Sequence, residues 1–197
     1  MLFDFGGVLT TPVWDSFSAF CRAEGLDPGA VKALFNTDPE ALRLLRGLET
    51  GELSEEDFEA EFGRRLGLES PERLIDSMFA GMKPVDSMIA AVRELRGGGV
   101  RTGLISNSWS TAHYDRDLLE ELFDGVVISG EVGLHKPQPE IYRLGAERVG
   151  VPPGACLFVD DLRENCEGAE AVGMTAVRPG EPAVTFAWLS VVSGVAL

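Results

Sequence analysis

Asp4, Ser106, Asn107, Asp160 and Asp161 each come at the end of a short apolar run: Met1-Leu2-Phe3, Gly103-Leu104-Ile105 and Leu157-Phe158-Val159. In a parallel α/β sheet the carboxyl ends of the strands open onto a crevice, so residues in these positions are placed for chemistry. A carboxylate there can act as a covalent nucleophile, splitting one slow hydrolysis into formation and breakdown of an acyl phosphate. Two adjacent carboxylates repel each other unless a cation joins them, and a hard cation such as Mg²⁺ is held by oxygen ligands of this kind. Plainer readings compete. A lone Asp or Ser at a strand end also closes a turn or caps a helix, the acidic pair can be a solvated turn, and Lys136 can be an ordinary surface cation.

The rest of the chain has to bring those ends together. From Val85 onward the pattern is a helix (Met88, Ile89, Val92, Leu95), a stop at Gly97-Gly98-Gly99, and a strand over 101–106. Further strands are predicted at 125–129, 156–160 and 174–178, with helices around 115–123, 138–149 and 164–172. This alternation marks an α/β domain with a parallel sheet. Pro182 to Leu197 reads as a final helix packed on the sheet, with a contact between copies as the alternative. The first strand begins abruptly for a central parallel strand, so the natural start is expected a few residues upstream.

Residues 15–82 differ in character. Phe17, Phe20 and Cys21, then Leu42, Leu45 and Leu48, then Phe58, Phe62 and Leu66, then Leu74, Met78 and Met82 recur at helical spacing. They predict an all-helical insertion in a core made of 1–14 and 83–197. Asp15 is expected to cap its first helix, Ser54 with Asp57 to form a capping box, and Ser70-Pro71 to supply a cap and a first helical residue.

Composition narrows the function. With 197 residues, 45% apolar and 25% charged, the chain reads as soluble and globular. It shows neither a membrane-length apolar stretch nor a secretory leader, so the cytoplasm is the expected location. A formal net charge of −15 without a basic cluster argues against nucleic acid. A small phosphorylated metabolite stays admissible, because a bound cation and one Lys can reverse the field inside a pocket. Cys21, Cys156 and Cys166 form no CxxC pair and read as reduced structural thiols. His113 and His135 read as packing or surface contacts. Trp14 and Trp109 flank the expected crevice, where an aromatic either packs or touches substrate.

Taken in order, the segments Phe3 to Thr10, Gly103 to Asn107, Gly133 to Pro137 and Leu157 to Asn165 resemble the motifs of haloacid-dehalogenase-like (HAD) hydrolases, over essentially the whole chain. The first of these and Leu48 to Phe62 are most similar to the phosphatase branch near the N-terminal domain of soluble epoxide hydrolases and bacterial glucose-1-phosphate phosphatases. The resemblance implies a Rossmann-like core with a mobile four-helix cap, hinged where Pro12 and Pro84 cross between them. It implies Asp4 as nucleophile, Ser106 with its neighbour Asn107 binding the phosphoryl group, and Lys136 balancing Asp4 and that group. It further implies Mg²⁺ held by Asp4, the carbonyl of Gly6, Asp160 and Asp161, with Asn165 steadying the loop.

One position departs from the pattern. Phosphatases of this family usually carry Asp where Gly6 stands, to protonate the leaving oxygen and then activate water, though some members of the glucose-1-phosphate branch carry Gly; Gly keeps the carbonyl and loses the acid. The implied function is Mg²⁺-dependent hydrolysis of a small phosphomonoester through an aspartyl-phosphate on Asp4. Two alternatives stand beside it: a non-catalytic protein binding a phosphometabolite or partner, and a haloacid dehalogenase, which Asp160-Asp161 opposes. Trp14, Arg46 and Glu49 are candidates for specificity, and monomer and homodimer both remain open.

Overall fold

Short apolar runs of β-branched and aromatic residues become buried parallel strands because both of their faces are covered. In the computed structural model, which describes residues 1–69, 71–180 and 182–197, these are β1 (Leu2–Phe3), β2 (Gly103–Ser106), β3 (Gly125–Ile128), β4 (Leu157–Val159) and β5 (Thr175–Val177). They form one sheet in the order β3-β2-β1-β4-β5, every pairing parallel. β1 is therefore central. Phe3 pairs with Leu104 on one side and Val159 on the other, which brings the residues after β1, β2 and β4 to one edge. Against the predicted spans, β2 begins two residues later, β3 ends one residue earlier because Ser129 opens a helix, and β4 and β5 are each one residue shorter at both ends.

Of the six helices between β1 and β2 among the described residues, the first five form the insertion: α1 (Val13–Ala23), α2 (Ala30–Thr37), α3 (Pro39–Thr50), α4 (Glu55–Leu66) and α5 (Leu74–Phe79). They number five, where the resemblance implied four, because Leu74–Phe79 closes into a helix of its own. They share an apolar cluster that includes Phe17, Phe58, Phe62, Ile75 and Met78. Each fully buried Phe or Met there contributes about 1.5–3 kcal/mol.

Two expected caps are corrected. Asp15 lies inside α1, whose N-cap is Pro12 with no side-chain bond, because the proline ring already fixes the entry into the helix. Pro71 precedes α5 rather than opening it; the N-cap is Arg73, with φ 58°. Ser70 lies outside the described residues. The Ser54 cap holds: its Oγ accepts from the Asp57 N–H at 3.1 Å and donates to the Asp57 carboxylate at 2.7 Å.

The two segments joining the insertion to the sheet run side by side. Thr10 bridges Pro84 in antiparallel fashion, the Thr11 N–H donates to the Lys83 carbonyl at 2.8 Å, and the Val85 N–H donates to the Leu9 carbonyl at 2.8 Å. A second junction lies at Gly51, which ends α3 with φ 73°; a Cβ there would sit 2.9 Å from the Gly130 carbonyl oxygen. Only glycine suits both the conformation and the approach.

The remaining helices are α6 (Asp86–Gly97), α7 (Arg116–Leu122), α8 (Ser129–Val132), α9 (Pro139–Val149), α10 (Arg163–Ala171) and α11 (Pro182–Ser193). The final helix stops at Ser193, short of the predicted end. It buries Leu189 against the sheet-side cluster and leaves Val184, Val191 and Val192 exposed. All three cysteines are buried and unbonded to one another. Among the described residues no helix is long and apolar enough to cross a membrane.

Candidate active site

Asp4 leaves β1 with its backbone still in the sheet, its N–H donating to the Val159 carbonyl at 2.9 Å. Its side chain turns back into the crevice, where Oδ1 accepts from the Phe5 N–H at 2.7 Å and meets Lys136 Nζ at 2.6 Å. Lys136 also pairs with Asp160 Oδ2 at 2.7 Å. The ammonium thus joins the ends of β1 and β4, and it is only 3% exposed, so burial is affordable only through these two partners.

Asp160 is heavily engaged. Oδ1 accepts from the Leu162 N–H at 2.8 Å, and Asn165 Nδ2 reaches both carboxylate oxygens at 3.0 Å. Asn165 is itself fixed by Tyr142, whose hydroxyl donates to its carbonyl at 2.8 Å. Asp161 points toward the glycine turn after Asp4: a Cβ on Gly7 would lie 2.4 Å from Asp161 Oδ2, and Gly7 has φ 73°. That turn therefore leaves room for the Asp161 carboxylate.

Oxygen atoms of Asp4, Asp160 and Asp161 all lie within 4.8 Å of one another. Three carboxylates against one ammonium leave a formal excess of two negative charges. Burial, with Asp160 adding to it, pushes Asp4 up to about 8 against the pull of Lys136. Burial, again with Asp160, pushes Asp161 up to about 6. Burial works against the charge on Lys136, yet Asp160 and Asp4 outweigh it and hold the ammonium above its usual range. A clustered oxygen donor set with unbalanced negative charge fits a hard divalent cation, and the most open donors are Asp161 and the second oxygen of Asp4.

Ser106 ends β2, with its Oγ 2.8 Å from the Tyr114 hydroxyl. Asn107 has its amide committed elsewhere: Oδ1 accepts from the Lys136 N–H at 2.8 Å, and Nδ2 donates to the Lys136 carbonyl at 3.1 Å. The same Nδ2 donates to Glu49 Oε2 at 3.3 Å, a contact from the insertion to the core. Arg46, one turn earlier on α3, is exposed. His135 keeps to a local contact, its Nδ1 2.8 Å from the Lys136 carbonyl.

A cavity of about 90 Å³ opens beside Gly6, Ser106 and Asn107 and runs under the insertion along Val13, Phe79 and Trp109. Trp109 does both things an aromatic can do at such a junction, lining the cavity and packing on Phe17, Phe35, Phe58 and Phe79. Trp14 packs edge-on against Phe17 instead. Two contacts had no sequence signal: Tyr114 on Ser106, made by the irregular loop after β2, and His113 with Asp76 at 2.8 Å, which are 37 positions apart. Gly6 is not in the left-handed region, and a Cβ there would meet Val13 Cγ2 at 2.9 Å.

A family model for haloacid dehalogenase-like hydrolases matches residues 1–173. The chain belongs to that family. This HAD-like hydrolase is 31% identical over 127 residues to a glyceraldehyde 3-phosphate phosphatase of Methanopyrus kandleri, an alignment covering 58% of the chain and 54% of that protein. The chain thus spans about half the length of that relative. It is 29% identical over 189 residues to the sesquiterpene phosphatase astK of Aspergillus oryzae, covering 89% of the chain and 87% of that protein. Among solved structures, a HAD family enzyme of Bacteroides thetaiotaomicron, crystallised as a mutant with magnesium and inorganic phosphate, shares the fold with a TM-score of 0.68 at 20% identity, covering 91% of this chain and 92% of that one.

Proposed function

We propose that this HAD-like hydrolase cleaves a small phosphomonoester with Asp4 as nucleophile and Mg²⁺ as cofactor. The observation that carries the reading is the carboxylate cluster of Asp4, Asp160 and Asp161 with Lys136 bridging two of its members. The phosphatase names of the two relatives above support the substrate class. A haloacid dehalogenase would have no use for the clustered carboxylates, and a pure binding protein would not need a Lys held against the nucleophile.

Asp4, the Gly6 carbonyl, Asp160 and Asp161 would hold the ion. Mg²⁺ would supply charge neutralisation between Asp4 and the phosphoryl oxygens. An oxygen of Asp4 attacks phosphorus, and the bond from phosphorus to the leaving oxygen breaks, giving an aspartyl-phosphate and an alkoxide or phenoxide that takes its proton from water, since Gly6 offers no acid. Water then attacks phosphorus, releasing inorganic phosphate and restoring Asp4. Lys136 balances Asp4 and the incoming group throughout, Ser106 binds a phosphoryl oxygen, and Asn107 holds the Lys136 backbone in place. Asn165 orients Asp160.

Residues 15–82 act as the cap over this crevice, hinged on the paired segments around Thr10 and Pro84. Closure excludes water and completes the pocket. Three buried, unbonded cysteines fit a reducing, cytoplasmic setting. The test is turnover of an aryl phosphate in Mg²⁺: activity should vanish with chelator and return with added Mg²⁺. Equal activity in the chelator would reject the ion's role.

A further inference from the structure

We infer that the leaving group of the ester is a small, uncharged, largely apolar alcohol or phenol seated in the cavity beside Gly6. The inference rests on the phosphomonoester reading and specifies its substrate. The cavity shares Gly6 and Ser106 with the nucleophile's surroundings, so a phosphate ester bound against Asp4 directs its leaving group into it. Its walls are Phe5, Val13, Phe79, Met82 and Trp109, and none of its lining residues is Lys, Arg, Asp or Glu.

A second phosphate or a carboxylate is normally recognised by Arg or Lys through charge-assisted bonds, and the cavity has neither. His113 is its one imidazole, and Asp76 on α5 holds its Nε2 at 2.8 Å. Sugar or glycerol hydroxyls would need free donors and acceptors. Few polar side chains are available for that: Ser106 faces the phosphoryl group, Asn107 is held by Lys136 and Glu49, and Ser110, whose Oγ accepts from the Ala112 N–H at 3.2 Å, has one hydroxyl proton left to offer.

The same wall accounts for the departure at Gly6. Val13 Cγ2 fills the space next to that residue, 2.9 Å from where a Cβ would be, so the apolar wall occupies ground that an acidic side chain would use. Size sets the upper limit. A cavity of about 90 Å³ is smaller than the roughly 150 Å³ that encloses benzene, so it takes a short branched chain or part of one ring.

The experiment uses the full chain with Mg²⁺ and compares kcat/KM for phenyl phosphate, 2-methylpropyl phosphate, glycerol 2-phosphate and phosphoglycolate. The three alkyl esters have leaving groups that all need a proton, so differences among them report the pocket. The expected result is 2-methylpropyl phosphate over glycerol 2-phosphate by about 10²-fold, the discrimination an apolar pocket can achieve against a hydroxyl, with phosphoglycolate lower still. Met82→Arg should raise phosphoglycolate relative to 2-methylpropyl phosphate at least about tenfold; if that variant does not fold, the wild-type ratios decide alone. An active protein that prefers glycerol 2-phosphate or phosphoglycolate would overturn the inference while leaving the phosphatase reading intact. Failure to hydrolyse any of the four, phenyl phosphate included, would overturn the phosphatase reading itself.

Discussion

Glu49, in the last turn of α3, accepts a hydrogen bond at 3.3 Å from Asn107, the residue whose amide clasps the backbone of Lys136 at both N–H and C=O. One side chain of the insertion is therefore linked, through one amide, to the loop that carries the cation of the site. Burial, opposed by Lys136 and Arg46, pushes the Glu49 carboxyl up to about 7. Glu49→Ala should lower kcat/KM by about tenfold, the equivalent of one charge-assisted hydrogen bond, whereas Glu49→Gln keeps an acceptor and should lose less. Steady-state kinetics of both variants checks this; equal losses would mean that the Asn107 contact is not what matters at Glu49.

Gly7 and Asp161 give a metal prediction. A Cβ on Gly7 would fall 2.4 Å from the Asp161 carboxylate, in a residue with φ 73°. Gly7→Ala should therefore displace Asp161 and raise the Mg²⁺ concentration needed for half-maximal activity, as Asp161→Asn does directly. Mg²⁺ titrations of both variants test it, and unchanged curves would remove Asp161 from the ligand set.

Stability should depend on pH in a direction set by three carboxyls. Asp4, Glu49 and Asp161 are pushed up to about 8, about 7 and about 6 by burial. Each then binds its proton more tightly folded than unfolded, so its contribution is complete below the ordinary carboxylate range near 4 and is lost as pH rises through the raised value. The Tm of metal-free protein should fall from about pH 5 to about pH 8, and Mg²⁺ should raise Tm more at the higher pH. A metal-free Tm that climbs over this interval would contradict the assignment.

Loss of an acid at Gly6 should show where the leaving group cannot depart as an anion. Wild-type rates should decline steeply from aryl to alkyl phosphates. Gly6→Asp has an ordinary backbone conformation to occupy but meets Val13 Cγ2 at 2.9 Å, so it is best made with Val13→Ala. The double variant should flatten the decline by up to about 10²–10⁴, the usual worth of a positioned acid. A leaving-group series on both proteins decides; equal slopes would show that another donor already protonates the leaving oxygen.

The sheet was legible because strands buried on both faces must be apolar throughout: Leu157-Phe158-Val159 can be little else before Asp160. The helical insertion was legible from spacing, as in Phe58, Phe62 and Leu66. Its first cap was misplaced on Asp15 because Pro12 had already fixed the entry to α1. Tyr114 and Asp76 carried no such signal, and His113, expected to make a packing or surface contact, gave no sign of its partner. His113 and Asp76 are 37 positions apart and meet only when the insertion folds over the core, a relation with no periodic signature. Asn107 was expected at the substrate; that its amide also clasps the backbone of Lys136, 29 positions away, is a relation that no reading of adjacent residues would disclose.

The covalent role proposed for Asp4 can be measured directly. With no acid or base side chain at Gly6, water attack on the aspartyl-phosphate lacks its usual help, so the intermediate should persist long enough to be trapped. Rapid acid quench of protein mixed with a ³²P-labelled aryl phosphate and Mg²⁺, followed by proteolysis, should place transient label on the peptide that contains Asp4, labile to hydroxylamine and absent in Asp4→Asn. Label at another residue, or full turnover by Asp4→Asn, would contradict the account.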